Sequence, residues 1–226
     1  MLRKAAFGEL GKARGLRSRG RGFRERVEVA LASGRHEILV SDIGRTPIRR
    51  AVDIPENGTA SEEIVLGFAS RISFDVSDAK GQGMPRKVEF IGLGETPSPD
   101  LGPALRAHGC LHRHHSEKAR FDVAVPPGRY RVVVIRGIEF SHVSREVSID
   151  AGERVSFAAI LERLADTSGW VSADYHNHST ESGDNTCGTR DRIINLAAEH
   201  IEFAPTTEHN RLFDWRPEIH EPLGSH

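Results

Sequence analysis

Apolar residues between Arg26 and Leu161 recur at every second position in short runs, and this alternation limits the fold more than any other feature of the chain. Val27, Val29 and Leu31 form one run, Ile72, Phe74 and Val76 another, Val147 and Ile149 a third. Side chains two apart on an extended backbone point to one side, so each run predicts a strand with one face in a core and one in water. The unbroken run Val132 to Ile135 predicts a strand buried on both faces. Turn-formers separate the runs: Asn57-Gly58, Asp78 to Gly83, Pro126-Pro127-Gly128 and Ala151-Gly152. Asn57-Gly58-Thr59 also has the form of a glycosylation acceptor, but no secretory segment accompanies it and it is read as a turn. No helical period interrupts the region. Many short strands at this spacing predict a mainly β fold made of sandwich modules.

The order of signals repeats within this region. Ser33-Gly34-Arg35-His36 leads into Ile38-Leu39-Val40 and later Val52-Asp53-Ile54; Pro127-Gly128-Arg129-Tyr130 leads into Val132-Val133-Val134 and later Val147-Ser148-Ile149. Each copy continues through a Gly turn (Gly58, Gly152) to a last expected strand, Ile64 to Leu66 and Val155 to Leu161. One or two sandwich modules are expected, the first partial. The chain thus divides into a leader over 1–25, a partial β module over 26–69, a β-sandwich over 70–164 and a different unit over 165–226. The leader is basic and rich in Gly and Arg, without the apolar stretch of a secretory signal, and is read as disordered. The compartment is open: the cytoplasm is the default, with export the alternative if the start is misplaced.

The pattern changes near Asp166-Thr167-Ser168-Gly169. Trp170 to Tyr175 reads as a strand, 176–188 as a polar loop, Arg190 to about His200 as a helix capped by Thr189, and Ile201 to Ala204 as a second strand. Strand, helix and strand in succession predict a βαβ unit with parallel strands.

Histidine is over-used, with twelve in the chain. On a strand, His176 and His178 would aim both imidazoles into one pocket, and imidazole is a common ligand for zinc and similar ions. Asp184 follows in a Gly-Asp-Asn loop able to fold back over the strand end, adding a carboxylate. His209 ends the second expected strand, and neighbouring strands lie about 4.8 Å apart. Metal ligands are therefore predicted at His176, His178, Asp184 and His209. In parallel α/β folds such sites gather at the C-terminal ends of strands. A second group, His108 to His115, lacks regular ligand spacing and is read as a solvated loop. Cys187 has no placed base and is not read as a nucleophile; the two cysteines form neither a disulfide framework nor a Cys-x-x-Cys pair.

The stretch Trp-Val-Ser-Ala-Asp-Tyr-His-Asn-His-Ser at 170–179, followed by Ser-Gly-Asp, a helix and Phe-Ala-Pro-Thr-Thr-Glu-His-Asn at 203–210, resembles the start of a PHP domain, the polymerase and histidinol phosphatase family. The layout is similar to its carbaryl-hydrolase-like branch, in which a β-sandwich region precedes the catalytic domain. The resemblance implies a distorted β/α barrel holding two or three zinc, manganese or iron ions and hydrolysing phosphoesters, or in this branch aryl esters and carbamates of small molecules. By position, His176 and His178 match the first ligand pair, Asp184 the loop ligand and His209 the second motif, with Asp174 orienting a ligand. Glu208 departs from the family's usual Asp. The family's later ligands have no counterpart in Arg211 to His226, and His220 and Glu221 are not cast in that role. An incomplete barrel, inactive by itself, is the expectation; about 60 residues cannot close a barrel of roughly 200 or more. Pro-Pro-Gly-Arg-Tyr-Arg-Val at 126–132 resembles carboxypeptidase-regulatory-like sandwich modules. If the metal motif is vestigial, the alternative is a non-catalytic β-sandwich that binds or spaces. With 31 basic and 32 acidic residues, charge gives no general reason to expect nucleic acid or a membrane as partner.

Overall fold

The computed structural model describes residues 4–6, 13–16 and 26–220, and over them the chain is mainly β. Seven strands lie between 71 and 160: β6 (Arg71–Ser77), β7 (Arg86–Gly92), β8 (Arg113–Ser116), β9 (Arg120–Ala124), β10 (Gly128–Ile135), β11 (Val143–Ile149) and β12 (Arg154–Ile160). They form two sheets, ordered β11-β10-β7-β8 and β12-β6-β9. All pairings are antiparallel except β12 with β6. Between the sheets lie Ile72, Phe74, Val76, Val88, Phe90, Val123, Val132, Val134 and Phe157. Phe74 sits at the centre, stacked on Phe121 at 5.0 Å and edge-on to Phe90 at 6.1 Å. Burying each such side chain stabilises the fold by about 1.5–3 kcal/mol.

The Pro-Pro-Gly-Arg-Tyr phrase has a mechanical reading. Tyr130 is buried, and its hydroxyl donates to the Pro126 carbonyl at 2.9 Å. Gly128 takes φ 154°, and a Cβ there would stand 2.5 Å from the Thr96 side chain. The Val132 to Ile135 run is buried on one face only, which corrects the expectation of two. Val132 and Val134 face the core, whereas Val133 and Ile135 stand opposite Glu89 and Lys87 on the half-exposed outer face.

Before the sandwich, β4 (Gly34–Ser41) and β5 (Ile48–Ile54) form an antiparallel hairpin, the counterpart of β10 and β11 in the repeat. β1 (Lys4–Ala6) pairs with β4, and β2 (Ala13–Leu16) with β3 (Arg26–Val29). These two short segments fall within the expected leader, whose other residues lie outside the described ones. The last strand expected of this module does not form. Ile64 to Leu66 have no pairing partner, and nearby Val65 and Phe68 are 78% and 89% exposed. The hairpin is tied to the sandwich through Ser70 N–H, which donates to Gly44 O at 2.6 Å, and through Ile43, which packs on the core.

The unit after 165 is built around α1 (Thr189–Ala198), with α2 (Arg216–His220) against it. Thr189 is the first helical residue; Gly188 occupies the cap, and the Thr189 hydroxyl is 3.2 Å from that of Ser179. Ile193, Ile194 and Ala198 are buried, and the helix lies against β7 and β8. Lys87 pairs with Glu199, Ala107 N–H donates to the Asp191 carboxylate at 2.8 Å, and Arg136 reaches the Ala197 carbonyl.

The two strands of the expected βαβ unit shrink to one parallel bridge, Ala173 with Phe203. Phe203 N–H donates to Ser172 O and Asp174 N–H to Phe203 O, both at 3.0 Å. The next rung would need an N–H from residue 205, and Pro205 has none. Asn177 Nδ2 donates to the carbonyl of Asp174 instead, at 2.8 Å. No barrel closes among the described residues, and no helix among them is long and apolar enough to cross a membrane.

Candidate metal centre

Past the interrupted rung, residues 174–179 and 206–209 stay side by side through side chains. Thr207 N–H donates to Asn177 O, Asn177 N–H donates to Thr207 Oγ1 at 2.7 Å, and Thr207 Oγ1 donates back to Asn177 O at 2.7 Å. Asn177 is 2% exposed. This clamp sets the first histidine pair beside the second motif. The His176 and His178 rings are 4.8 Å apart, and the His178 and His209 rings 4.5 Å.

The loop between them turns back as the sequence suggests. Ser179 caps a 3₁₀ turn, Thr180–Ser182, which Gly183 ends with φ 79°. Thr180 N–H donates to Cys187 O at 2.9 Å, and Arg192 Nε to His178 O at 3.0 Å, so the loop is closed at its base. Asp184 is thereby brought over the histidines. One carboxylate oxygen lies 3.1 Å from His209 Nε2, and the other 3.9 Å from His178 Nδ1.

Three of the four predicted ligands therefore converge: one donor atom each from His178, Asp184 and His209 lies within 4.8 Å of the other two. His176 is not in this group; it is exposed and stands at the rim beside His178. Asp174 acts on the backbone, accepting from His176 N–H at 3.0 Å, and not on an imidazole. Two imidazoles and a carboxylate suit zinc, iron or manganese. Bonds near 2 Å would set donor atoms about 3.3 Å apart in a tetrahedral site, so donors now within 4.8 Å of one another would have to close by up to about 1.5 Å to share an ion, which is geometrically possible.

Glu208 has a role that the sequence did not suggest. Its side chain points into the protein and is 8% exposed at the residue level. The carboxylate accepts from Ser179 N–H at 3.1 Å, Ser179 Oγ at 2.5 Å, Trp215 Nε1 at 3.2 Å and the Ser182 hydroxyl. Burial pushes its pKa up, but these donors outweigh that effect and hold it below the usual carboxylate range. The longer side chain reaches donors on both sides of the 3₁₀ turn. Ser179, Ser182 and Trp215 were not singled out in the sequence; the only signal was the unusual acid preceding His209.

Cys187 is fully buried, and burial raises its thiol pKa, consistent with a packing role. The histidines at 108–115 correct the expectation of a solvated loop. His114 and His115 lie on β8, where His115 is 8% exposed and His114 is sandwiched between the rings of His108 and Phe121. The polar partners are intramolecular, His108 with Glu117 at 2.7 Å and His112 with Glu89 at 3.0 Å. No known family model matches the chain, and no curated protein does.

Proposed function

We propose that residues 170–210 form a divalent-metal site of PHP type, part of a metal-dependent hydrolase of small phosphoester or related ester substrates. The observation that carries the reading is the convergence of His178 and Asp184, from one loop, with His209, from a separate segment across α1, with His176 at the rim. Two imidazoles and a carboxylate so placed offer three donor atoms to one cation. A bound ion would lower the pKa of a coordinated water and polarise the ester oxygen. This chain's own residues hold the donors: the Asn177–Thr207 clamp fixes the two motifs in register, and the closed 176–188 loop delivers the carboxylate. No general acid is assigned, and ion binding with little or no hydrolysis is expected of the purified chain.

The openness of the site favours a second reading. The side chains of Asp184 and His209 are 55% and 54% exposed, which suits a weak or vestigial site on a sandwich that binds or spaces. Metal analysis of the purified chain after dialysis against zinc, manganese or iron separates the readings. Under the first, about one ion is retained and His178→Ala abolishes retention, while His176→Ala weakens it. Retention indifferent to both substitutions would refute the site.

A further inference from the structure

We infer that Cys110 and Cys187 are the two halves of a redox-responsive tie: a small disulfide such as oxidised glutathione converts them to one bridge, which fastens the 176–188 loop to the sandwich, independently of the metal reading.

The contact between α1 and the sandwich brings the two residues together. Asp191, Asn195 and Glu199 are spaced by four, so they share one side of the helix. That side faces the sandwich: the Asp191 carboxylate accepts from Ala107 N–H at 2.8 Å, and Glu199 pairs with Lys87 on β7. The Cys187 sulfur lies on the same side, 4.0 Å from Asn195 Nδ2 and 3.7 Å from the Gly188 carbonyl oxygen. Cys110 stands across the contact, shortly after Ala107 in the chain. A tight turn holds it there: Cys110 N–H donates to Arg113 O and Arg113 N–H to Cys110 O, both at 2.8 Å. The Asp191 carboxylate spans the two cysteine-bearing segments. One oxygen takes the Ala107 N–H, and the other lies 3.6 Å from the place of a Cβ on Gly188, the neighbour of Cys187. Burial is the main reason that the Cys187 thiol pKa is raised, and a charge on Cys110 adds to it, so the two sulfurs lie within electrostatic reach.

Both cysteines are free, and they are the only two in the chain. Exposure orders the chemistry. Cys110 is half-buried and Cys187 fully buried, so a dissolved reagent meets Cys110 first. The Cys110 thiolate attacks one sulfur of oxidised glutathione; the S–S bond breaks and one glutathione thiolate leaves. Cys187 then gives up its proton, attacks the Cys110 sulfur of this mixed disulfide and expels the second glutathione. Two protein thiols lose two electrons and two protons, and one glutathione disulfide gains them as two thiols. Excess reduced glutathione runs the exchange backwards. A disulfide requires Cα atoms about 4.4–6.8 Å apart, which makes bridge formation a strict test of the juxtaposition.

The bridge would act on the loop through backbone that Cys187 already organises. Its carbonyl accepts from Thr180 N–H at 2.9 Å, and its N–H donates to Asn185 Oδ1 at 2.7 Å. Oxidation therefore pins both the base of the loop that carries Asp184 and the start of α1.

The test equilibrates the full folded chain with oxidised glutathione, then counts thiols and maps unreduced peptides by mass spectrometry. Expected are loss of both thiols, a mass lower by two hydrogens, a linked Cys110–Cys187 peptide pair, and slower hydrogen exchange over 187–200 with β6 and β10 unchanged. Cys187→Ala should stop at a glutathione adduct on Cys110, and Cys110→Ala should leave Cys187 unmodified. The wild-type result decides the matter even where an alanine variant fails to fold. Two thiols still free, a wild-type chain that keeps its glutathione adduct, disulfide-linked pairs of chains, or a bridge that forms only in urea would each overturn the inference.

Discussion

At the scale of single residues, the buried titratable groups make the most exposed predictions. His114 is held down to a pKa of about 3, first by burial and then by the neighbouring His108 and His115. His115 and His200 are lowered as well, again chiefly by burial. Above pH 6.5 the imidazole of His114 is neutral whether the chain is folded or not, so its contribution is fully present. As pH falls from 6.5 towards 3 the unfolded chain takes up a proton that the folded one refuses, and stability drops by about 1.4 kcal/mol per pH unit at most for this histidine. Urea unfolding at pH 7.5 and pH 5.0 should therefore show a marked loss at the lower pH, reduced in His114→Phe. Equal pH dependence in that variant would count against the assignment. Glu208→Gln tests the buried carboxylate: the amide cannot accept from four donors, and a loss of roughly 2–3 kcal/mol is expected. It should be read as faster hydrogen exchange over 177–215.

At the scale of elements, the contact between α1 and the sandwich depends on close backbone approach. Gly137 adopts φ 59°, and a Cβ there would stand 2.2 Å from the Glu199 carbonyl oxygen at the end of the helix. Next to it, the His200 ring meets Phe140 edge-on at 5.1 Å. Gly137→Ala should loosen the seating of α1 by about 1–3 kcal/mol. Amides of 189–200 would then exchange faster, while those of β6 and β10 keep their protection. Uniform loss of protection across both would show that helix and sandwich unfold as one. Within the sandwich, Phe74→Ala removes the ring around which Phe90, Phe121 and Phe157 pack. A cost of about 3–5 kcal/mol is expected in chemical denaturation.

At the scale of the whole molecule, the sandwich is a platform and the candidate metal centre lies on the unit docked against it. Zinc at 100 times its dissociation constant should add about 2.7 kcal/mol to the part of the protein that binds it. That gain should appear as slowed exchange over 174–209, reverse with a chelator and be missing in His209→Ala. Slowed exchange confined to β8 would instead point to the histidines at 108–115.

The sequence by itself determined what depends on short range. Alternation marked β6 and β11 because side-chain direction on a strand has period two whatever lies opposite, the unbroken apolar run marked β10, and the Gly-bearing turns followed from their backbone demands. That His178, Asp184 and His209 could meet was legible for a related reason, since a Gly-bearing loop and two neighbouring extended segments bring those side chains back to one place; that His176 stands outside their group was not. Tertiary structure alone decided the rest. Whether an extended segment becomes a strand depends on a partner, which Ile64 to Leu66 lack and which Pro205 denies to Tyr175. Which face of β10 is covered depends on what packs there. Whether the histidines at 108–115 meet water, and that Glu208 gathers Ser179, Ser182 and Trp215, depend on neighbours far along the chain. Hydrogen bonds and burial are properties of pairs, and a linear sequence names only one member at a time.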